Sequence, residues 1–289
     1  MLDELIATHD DGCPVFVHSD LMPILVANQT DLRRFTVDEA FQDGVLSALY
    51  TQLQTLVRGR DLWLPTFNYD YCQKKKFDVA KTVSQVGIFS EYFRLKHSIW
   101  RTKTPIFSIS GIGLEPPACV TADGKLDPFS VSSDFGHFVE RDGLILFFGA
   151  RFSPTFIHYI ERCFRSGPLY RYDKIFEGIV SDGLSNSEIS VNYHVIPRSV
   201  SVKYDVDKIA ADLRSDGLLQ PLPTPFHPCE VISARSMLDY CFQRLERDPY
   251  YFLTEDTVDL VAPMIKKIGR RLKITDFDDN DSLRGSDEL

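Results

Sequence analysis

The hydrophobic pattern of residues 142–164 predicts a buried strand followed by a helix. Residues 143–148 form an unbroken apolar run of strand length, which is typical of a strand buried on both faces. Gly149 ends this run, and Ser153 and Pro154 are residue types preferred at a helix start. Apolar side chains then recur at helical spacing through the rest of the segment. The pattern therefore places the amino end of a helix at the carboxyl end of a buried strand.

Similar patterns predict the other elements of an α/β chain. Apolar runs indicate further buried strands at residues 15–17 and 62–64. Helical spacing of apolar residues indicates helices at residues 37–58, 84–96, 207–217, 234–247 and 254–273. Thr36 is the expected cap of the first of these helices. We expect a single α/β domain of residues 1–275. Residues 276–289 are acidic and poor in apolar side chains, which predicts a disordered tail.

Composition and charge narrow the class of protein. Of the 289 residues, 44% are hydrophobic, which is enough for a large folded core. The formal net charge of −9 argues against a nucleic-acid partner, because sequence-independent binding depends on neutralising phosphates. The sequence has no apolar run of membrane-spanning length and no secretion signal, so we expect a cytoplasmic protein without membrane contact. The six cysteines lack metal-ligand spacing, so no metal is expected.

His158 is the first candidate for chemistry, because it lies in the first turns of the predicted helix. A helix amino end disfavours a nearby cation, so the imidazole should stay neutral and able to act as a general base. Glu161 follows three residues later on the same helix face and could fix the tautomer of the ring. The alternative is that both residues, with Arg162 and Arg165, only form the polar face of an amphipathic helix.

Two aromatic stretches and one basic run are candidate binding segments. Residues 66–71 combine a hydroxyl, an amide, a carboxylate and three aromatic rings, a composition suited to binding a polar ring. A half-buried strand with alternating aromatic residues explains the same pattern. Residues 170–174 interleave tyrosines with Arg171 and Lys174, which could stack a base and clamp a pyrophosphate, although aromatics packed on Arg stems are commoner. The basic run at residues 74–76 offers a further countercharge for phosphates.

Six short segments carry a resemblance to a known family. They read VFVHSDL, LWLPTFNYDY, VGIFSEYFR, RTKTPIFSISGIG, DFGHF and LILFFGARFSPTFIHYIE, in this order, within residues 12–180. In order and spacing they resemble the antibiotic N-acetyltransferase family, the larger aminoglycoside 3-N-acetyltransferases that are unrelated to the GNAT fold. The resemblance implies a non-GNAT α/β fold, in which one mixed sheet is flanked by helices, with an elongated acyl-CoA cleft. It also implies that acetyl-CoA or another acyl-CoA donates an acyl group to a sugar amine.

The resemblance implies roles for particular residues. His158 matches the histidine that the family uses as base, and Glu161 matches the acidic residue that follows it. Thr104 departs from the family, because the antibiotic-modifying members carry a histidine before the proline of the same segment. With FNYDY and YRYDK, this departure favours the branch whose members acylate a nucleotide-linked (dTDP or UDP) amino deoxysugar for surface polysaccharide. An aminoglycoside acceptor is one alternative, and a noncatalytic protein that binds nucleotide sugar and acyl-CoA is another.

Direct transfer in a ternary complex is the expected mechanism. His158 would take a proton from the amine, and donors at the helix start would bind the tetrahedral oxyanion. Asp134 would either orient His158 or bind the substrate ammonium. A covalent route through Cys72 or Cys163 is the alternative. The substrate-binding candidates are Thr66, Asn68, Tyr69, Tyr71, Tyr170, Arg171, Tyr172 and Lys174, and the coenzyme A candidates are Ser19, Lys74, Lys75, Ser153 and Thr155. A homodimer is the default expectation for the assembly.

Overall fold

The structure, a computed structural model, describes residues 12–121, 124–165, 167–198, 200–222, 224 and 228–277. The strands are β1 (Val15–Ser19), β2 (Leu62–Pro65), β3 (Lys76–Asp78), β4 (Trp100–Arg101), β5 (Ile109–Ile112), β6 (Lys125–Leu126), β7 (Leu144–Phe148), β8 (Tyr172–Ser181), β9 (Asn186–Val195), β10 (Gln220–Leu222) and β11 (Cys229–Ser233). A seven-stranded mixed sheet has the order β10-β11-β7-β1-β2-β5-β4. Its three central strands, β7, β1 and β2, are parallel, and each flanking strand is antiparallel to its inner neighbour.

Helices cover both faces of this sheet. They are α1 (Leu21–Ala27), α2 (Leu32–Val37), α3 (Glu39–Val57), α4 (Tyr71–Lys74), α5 (Ile88–Lys96), α6 (Asp134–Glu140), α7 (Phe156–Cys163), α8 (Val206–Ser215), α9 (Ala234–Arg247) and α10 (Glu255–Ile268), followed by a 3-10 turn (Ile274–Asp276). Successive side chains of a strand point to opposite faces of the sheet. Phe16 and Trp63 therefore join one core, with α6, α7, α8 and α9. Val17 and Leu64 join a second core, with α1, α3 and α5.

A second sheet of four strands, in the order β3-β8-β9-β6, packs on the α6 and α7 side. Its centre is a long antiparallel hairpin, in which Tyr172 at the start of β8 lies opposite Val195 at the end of β9. Val180, Ile189 and Val191 join the core that contains Phe16. The predicted mixed α/β fold is confirmed, but two sheets form where one was expected. The second sheet was not predicted, because the exposed positions of β8 alternate between apolar and charged residues and do not give the pattern of a strand with one polar face.

The start of the long helix α3 differs from the prediction. Its cap is Asp38, whose side chain accepts a hydrogen bond of 3.0 Å from the backbone N–H of Phe41. Thr36 belongs to the preceding helix and donates to the carbonyl of Leu32. Aspartate and threonine are both good caps, and the sequence pattern did not reveal that a separate short helix ends between them.

The predicted acidic tail begins too early in the chain. Asp276 pairs with Arg270 at 2.6 Å, and Phe277 is buried, with its ring 5.0 Å from that of Tyr172. Composition could not show this contact, because Tyr172 is distant in the sequence. The remainder of the tail, residues 278–289, lies outside the described residues, and the single domain of residues 1–275 stays a prediction. Among the described helices, none combines the length and the apolar character needed to cross a membrane.

Gly149 turns the chain at the carboxyl end of β7. Its φ is 67°, in the left-handed region that favours glycine. A Cβ at this position would lie 2.4 Å from Cγ1 of Ile24 and 2.7 Å from the carbonyl oxygen of Asp20. Both the backbone conformation and the available space therefore require glycine where the chain leaves β7 for α7.

We expect Gly149→Ala to lower the free energy of unfolding by about 1–3 kcal/mol, because it adds left-handed strain and a backbone clash. Gly44 is the control, since it lies inside α3 and a Cβ there would meet nothing within 4 Å. Gly44→Ala should raise the free energy of unfolding by about 0.5–1 kcal/mol. Urea denaturation measures both values, and a Gly149→Ala protein as stable as the wild type would contradict the assignment.

Candidate active site

The loop after β7 brings the candidate histidine to the start of α7. The helix begins at Phe156, after Thr155, and no side chain caps its first turn. The predicted cap at Ser153 is therefore wrong, because the residues at Ser153 and Pro154 are still outside the helix. The backbone N–H of His158 reaches the carbonyl of Thr155 at 2.9 Å. His158 consequently lies in the first turn, as predicted.

His158 connects a buried carboxylate to an open cavity. Its Nδ1 lies 3.2 Å from Oε2 of Glu161, one helical turn further on. The imidazole is 23% exposed and lines a cavity of about 480 Å³. The cavity is bounded by Ser153, Pro154, Thr155, Ile157, His158, Arg171, Tyr193, Val195, Ile196, Tyr204 and Val206. With Nδ1 engaged by Glu161, Nε2 is the nitrogen that remains for another partner.

Glu161 is the buried centre of the site. Its side chain is 1% exposed. Its Oε1 accepts hydrogen bonds of 2.6 Å from the hydroxyls of Tyr170 and Tyr204. Its Oε2 lies 3.1 Å from Nε of Arg171, whose side chain is also 1% exposed. The carboxylate is thus neutralised by a buried cation and held by two neutral donors.

These contacts set the protonation of the site. Burial alone would raise the pKa of Glu161, but the charge of Arg171 and the hydrogen bond to His158 hold that pKa well below its ordinary value. Burial, and then the charge of Arg171, lower the pKa of His158 below 6.5. The lower pKa of His158 agrees with the sequence-based prediction, although the predicted cause was the helix amino end. A neutral imidazole beside an anionic carboxylate is the arrangement of a general base with its orienting group.

The tautomer follows from the strengths of the two contacts at Nδ1. Donation from Nδ1–H to the Glu161 carboxylate is charge-assisted and therefore strong. Nη2 of Arg171 lies 3.3 Å from the same nitrogen, but it also donates to the Tyr204 hydroxyl at 2.5 Å. The stronger contact favours a proton on Nδ1, which leaves a free electron pair on Nε2.

Three side chains of the site could in principle ligate a metal ion. Ligand atoms of His158, Glu161 and His194 lie within 4.8 Å of one another. The guanidinium of Arg171, however, contacts both Oε2 of Glu161 and Nδ1 of His158. A metal ion at this position would have to displace a buried cation, so the donor set fits an arginine better than a metal.

Sequence patterns missed three residues of the site. Tyr193 and His194 lie near the end of β9, and Tyr204 lies before α8. Nε2 of His194 is 3.6 Å from Oε2 of Glu161, and burial lowers the pKa of His194 to about 3. The alternation of apolar and polar residues along β9 is typical of a strand, but it does not show that this strand end adjoins α7. Tyr204 carried no local signal at all.

Asp134 lies in a different cluster from His158. It is the first residue of α6 and is buried, and its carboxylate accepts hydrogen bonds from Thr104 at 2.8 Å and Cys119 at 3.0 Å. It borders a second cavity of about 170 Å³. The ring of Phe129 lies between, 5.3 Å from Phe135 and 5.5 Å from His158. Asp134 therefore does not orient His158, because Glu161 occupies that place.

The stretch 66–71 mostly points into the protein. Thr66 is fully buried and bonds to Ser108, and the amide of Asn68 donates to the carbonyl of Val83. The Tyr71 hydroxyl donates to the carbonyl of Ile189, and burial raises its pKa to about 12. Tyr69, 48% exposed, and the Asp70 side chain, 40% exposed, are accessible. A composition suited to a pocket thus serves mainly to fix this part of the chain to its neighbours.

The basic run lies far from His158. Lys74 pairs with Asp70, and Lys75 accepts a hydrogen bond on its carbonyl from Ile179. Ile179 lies near the end of β8, whereas Arg171 directly precedes the start of this strand. At the usual strand rise, roughly 25 Å separates Ile179 from Arg171. Lys74 and Lys75 therefore do not adjoin the His158 cavity, and their assignment to the phosphates of coenzyme A stays a prediction.

Residues 170–174 contribute to the site through burial and not by stacking a base. Tyr170 and Arg171 are bound to Glu161, and Tyr172 is buried against Phe277. Lys174 lies 5.9 Å from the ring of Phe176. Arg171 cannot clamp a pyrophosphate, because its donors are already engaged. Of the coenzyme A candidates, Ser153 and Thr155 line the His158 cavity, and Ser19 is paired with Gly149 at the end of β1.

Comparison with known proteins gives a family match. A family model described as aminoglycoside 3-N-acetyltransferase matches residues 17–246. A comparison with curated protein sequences gave no match.

Solved aminoglycoside acetyltransferases share the fold. AAC(3)-Xa has a TM-score of 0.62 and 15% identity, over 85% of this chain and 91% of that chain. AAC-IIIb, in a binary complex with CoASH, has a TM-score of 0.60 and 15% identity, over 85% and 95%. The apoenzyme of AAC(3)-IVa has a TM-score of 0.57 and 18% identity, over 88% and 91%. Similarity at this identity extends to the fold alone, and it agrees with the predicted non-GNAT architecture.

Breaking the buried ion pair should strongly destabilise the protein. Glu161→Gln leaves the Arg171 charge buried without a countercharge, so we expect the free energy of unfolding at pH 7 to fall by about 3–5 kcal/mol. The stabilising contribution of Glu161 is present above its unfolded pKa of about 4.3 and is lost on acidification below that value. The difference between variant and wild type should therefore shrink as the pH falls below about 4.

Lys96→Met is the control for this measurement, because it breaks the exposed pair between Lys96 and Asp43, whose side chains are 51% and 55% exposed. That change should stay within about 1 kcal/mol. Urea denaturation as a function of pH measures both variants. A loss in Glu161→Gln as small as that in Lys96→Met would show that the buried pair is not charged.

Proposed function

Since the chain belongs to the aminoglycoside 3-N-acetyltransferase family, with its match over residues 17–246, we propose that it transfers the acetyl group of acetyl-CoA to an aminoglycoside amine. The family consists of acetyltransferases that use acetyl-CoA as co-substrate. The observation that carries the proposal is the contact of His158 Nδ1 with Glu161 at 3.2 Å, on the wall of an open cavity. His158 is the general base, and Glu161 is its orienting group.

The proposed reaction begins with the acceptor amine, which is mostly protonated at neutral pH and cannot attack a carbonyl in that form. A neutral His158 removes the proton through Nε2, directly or through one water. His158 passes this first proton to solvent and is neutral again. The amine nitrogen then forms a bond to the thioester carbonyl carbon and gives its next proton to Nε2 of His158, and the bond from that carbon to sulfur breaks. Glu161 stabilises the imidazolium in the meantime. The imidazolium finally returns a proton to the coenzyme A thiolate, so the products are the amide and free coenzyme A.

Donors for the oxyanion lie beside the base. Thr155 lines the cavity immediately before α7, and it offers a hydroxyl and a backbone N–H. Pro154 has no N–H, so the backbone donors at this position come from Ser153 and Thr155. Two such donors next to a developing negative charge are the requirement for an oxyanion site. We assign the oxyanion to this loop.

The covalent route through cysteine receives no support from the geometry. Among the described residues that line the His158 cavity there is no cysteine. Burial raises the pKa of both Cys72 and Cys163, which disfavours the thiolate that a nucleophile needs. Cys163 lies 3.8 Å from the carbonyl of Phe129, on the apolar side of α7. Direct transfer is therefore the simpler proposal.

A nucleotide-linked amino deoxysugar is the second candidate acceptor, and one observation favours it. An aminoglycoside is a polycation, yet the described residues that line the His158 cavity include no aspartate or glutamate. The nearest carboxylate, Glu161, is buried and already neutralised by Arg171. The cavity thus offers little attraction to several ammonium groups, and an acceptor with a single amine and an anionic diphosphate would suit it better.

The test is thiol release from acetyl-CoA and longer acyl-CoA donors, with aminoglycosides and with dTDP- and UDP-linked amino deoxysugars as acceptors. We expect His158→Asn to lower kcat by about two or more orders of magnitude with the true acceptor, because it removes the base. The matched control is His137→Asn. His137 contacts Glu140 at 3.0 Å with the same spacing along its own helix, α6, and its side chain is 22% exposed, but it does not line the His158 cavity.

The acceptors that support turnover decide between the candidates. Turnover with aminoglycosides alone supports the first proposal, and turnover with nucleotide sugars alone supports the second. If His158→Asn and His137→Asn are equally active, the base assignment is wrong. Thermal stabilisation by acyl-CoA without thiol release from any acceptor would instead indicate a noncatalytic binding protein.

A further inference from the structure

Arg171 is buried more completely than its position beside an open cavity would require. Its side chain is 1% exposed, although the residue borders the 480 Å³ cavity. Moving a guanidinium out of water is unfavourable unless a countercharge and hydrogen-bond acceptors replace the lost hydration. The contacts of Arg171 therefore indicate what this charge does.

Each edge of the guanidinium is engaged by a different element. Nη1 donates to the carbonyl of His194 at the end of β9, at 2.7 Å. Nε lies 3.1 Å from Oε2 of Glu161 on α7 and donates to the Tyr204 hydroxyl at 3.1 Å. Nη2 donates to the same hydroxyl and lies 3.3 Å from Nδ1 of His158. The guanidinium is therefore fixed in one orientation, with its positive charge beside both His158 and Glu161.

Tyr204 links Arg171 to Glu161. Its hydroxyl accepts from Arg171 and donates to Oε1 of Glu161 at 2.6 Å. Tyr170 adds a second donor to the same oxygen at 2.6 Å. Oε1 is thus directed at the two tyrosines, which leaves Oε2 to face His158, Arg171 and His194.

We propose that Arg171 is a positioning residue, which holds Glu161 as an anion directed at Nδ1 of His158 and, through its charge, keeps the imidazole neutral. This role rests on the proposed base function of His158. The charge opposes protonation of the imidazole, while the anion it stabilises keeps the remaining proton on Nδ1. Arg171 thereby leaves the electron pair of Nε2 available to the acceptor amine. The Tyr204 hydroxyl, which bridges Arg171 and Glu161, helps to hold Glu161 in the same position.

Among the described residues, few ionisable groups face His158, so the effect of Arg171 on its protonation can be isolated. Glu161 is the negative group, and Arg171 is the positive group. His194 is neutral because burial lowers its pKa to about 3. Tyr170 and Tyr204 are neutral because burial and the nearby carboxylate raise their pKa well above 10, against the opposing charge of Arg171. Tyr193, which lines the same cavity, is neutral because burial raises its pKa above the ordinary value. Removing the charge of Arg171 should therefore move the titration of His158 to higher pH.

The test is the pH dependence of carbethoxylation of His158 by diethyl pyrocarbonate, which modifies a histidine only when its imidazole is neutral. Mass spectrometry of the peptide that contains His158 isolates this residue from the other histidines. We expect the midpoint in Arg171→Met to lie at least about one pH unit above that of the wild type, since a full charge at hydrogen-bond distance is lost. Acetyl transfer is not needed for this reaction, so it remains informative even if no acceptor is turned over.

Arg271→Met is the matched control. Arg271 donates to the backbone carbonyl of Arg171 at 3.2 Å and to Asp173 at 3.1 Å, so it contacts the same end of β8 and its loss removes the same charge. The carbethoxylation midpoint of His158 should not move in this variant. Equal midpoints in Arg171→Met and Arg271→Met would overturn the proposal.

Tyr204→Phe keeps the test valid if the loss of a buried arginine prevents folding. It removes only the bridging hydroxyl, and it should shift the midpoint in the same direction by a smaller amount. An unshifted midpoint would overturn the proposal. With an active acceptor, kcat at pH 7 should fall about tenfold or more in either variant, while KM for acetyl-CoA stays within about threefold of wild type. A purely structural residue would lower the plateau activity without displacing the pH profile.

Discussion

The ion pair between Glu161 and Arg171, with both side chains 1% exposed, is the constraint on which the candidate site depends. A buried carboxylate and guanidinium stabilise each other only when their geometry is good and their remaining hydrogen-bonding atoms are satisfied. Two tyrosine hydroxyls and a backbone carbonyl meet this requirement. The resulting rigid anion gives His158 a fixed partner, which an exposed glutamate would not provide.

The two sheets explain why this pair can form. The parallel centre of the main sheet delivers α7 at the end of β7, with His158 and Glu161 on one face. The β8 and β9 hairpin then brings Arg171 and His194 to the same place, because the start of one strand lies opposite the end of the other. Neither sheet alone contains the site. The fold therefore brings the buried charges of Arg171 and Glu161 into contact.

The sequence predicted the parts of the site that are local. A helix converts the three-residue spacing of His158 and Glu161 into a contact, so the pair was visible without a structure. Arg171, His194 and Tyr204 converge only through strand register and long-range packing, which local patterns do not contain. The prediction that residues 66–71 line a pocket failed for a related reason. Its composition suits a pocket, but composition does not show that Tyr71 and Asn68 face inward.

The tautomer of His158 is the most direct test of its proposed role as general base, because the proposed chemistry requires a free electron pair on Nε2. Nitrogen-15 NMR of histidine-labelled protein, at a pH above the titration of His158, distinguishes the two ring nitrogens. We predict a protonated Nδ1, hydrogen-bonded to Glu161, and an unprotonated Nε2. A proton on Nε2 would mean that Arg171 donates to Nδ1, and His158 could not then act as the base through the nitrogen that remains for the acceptor.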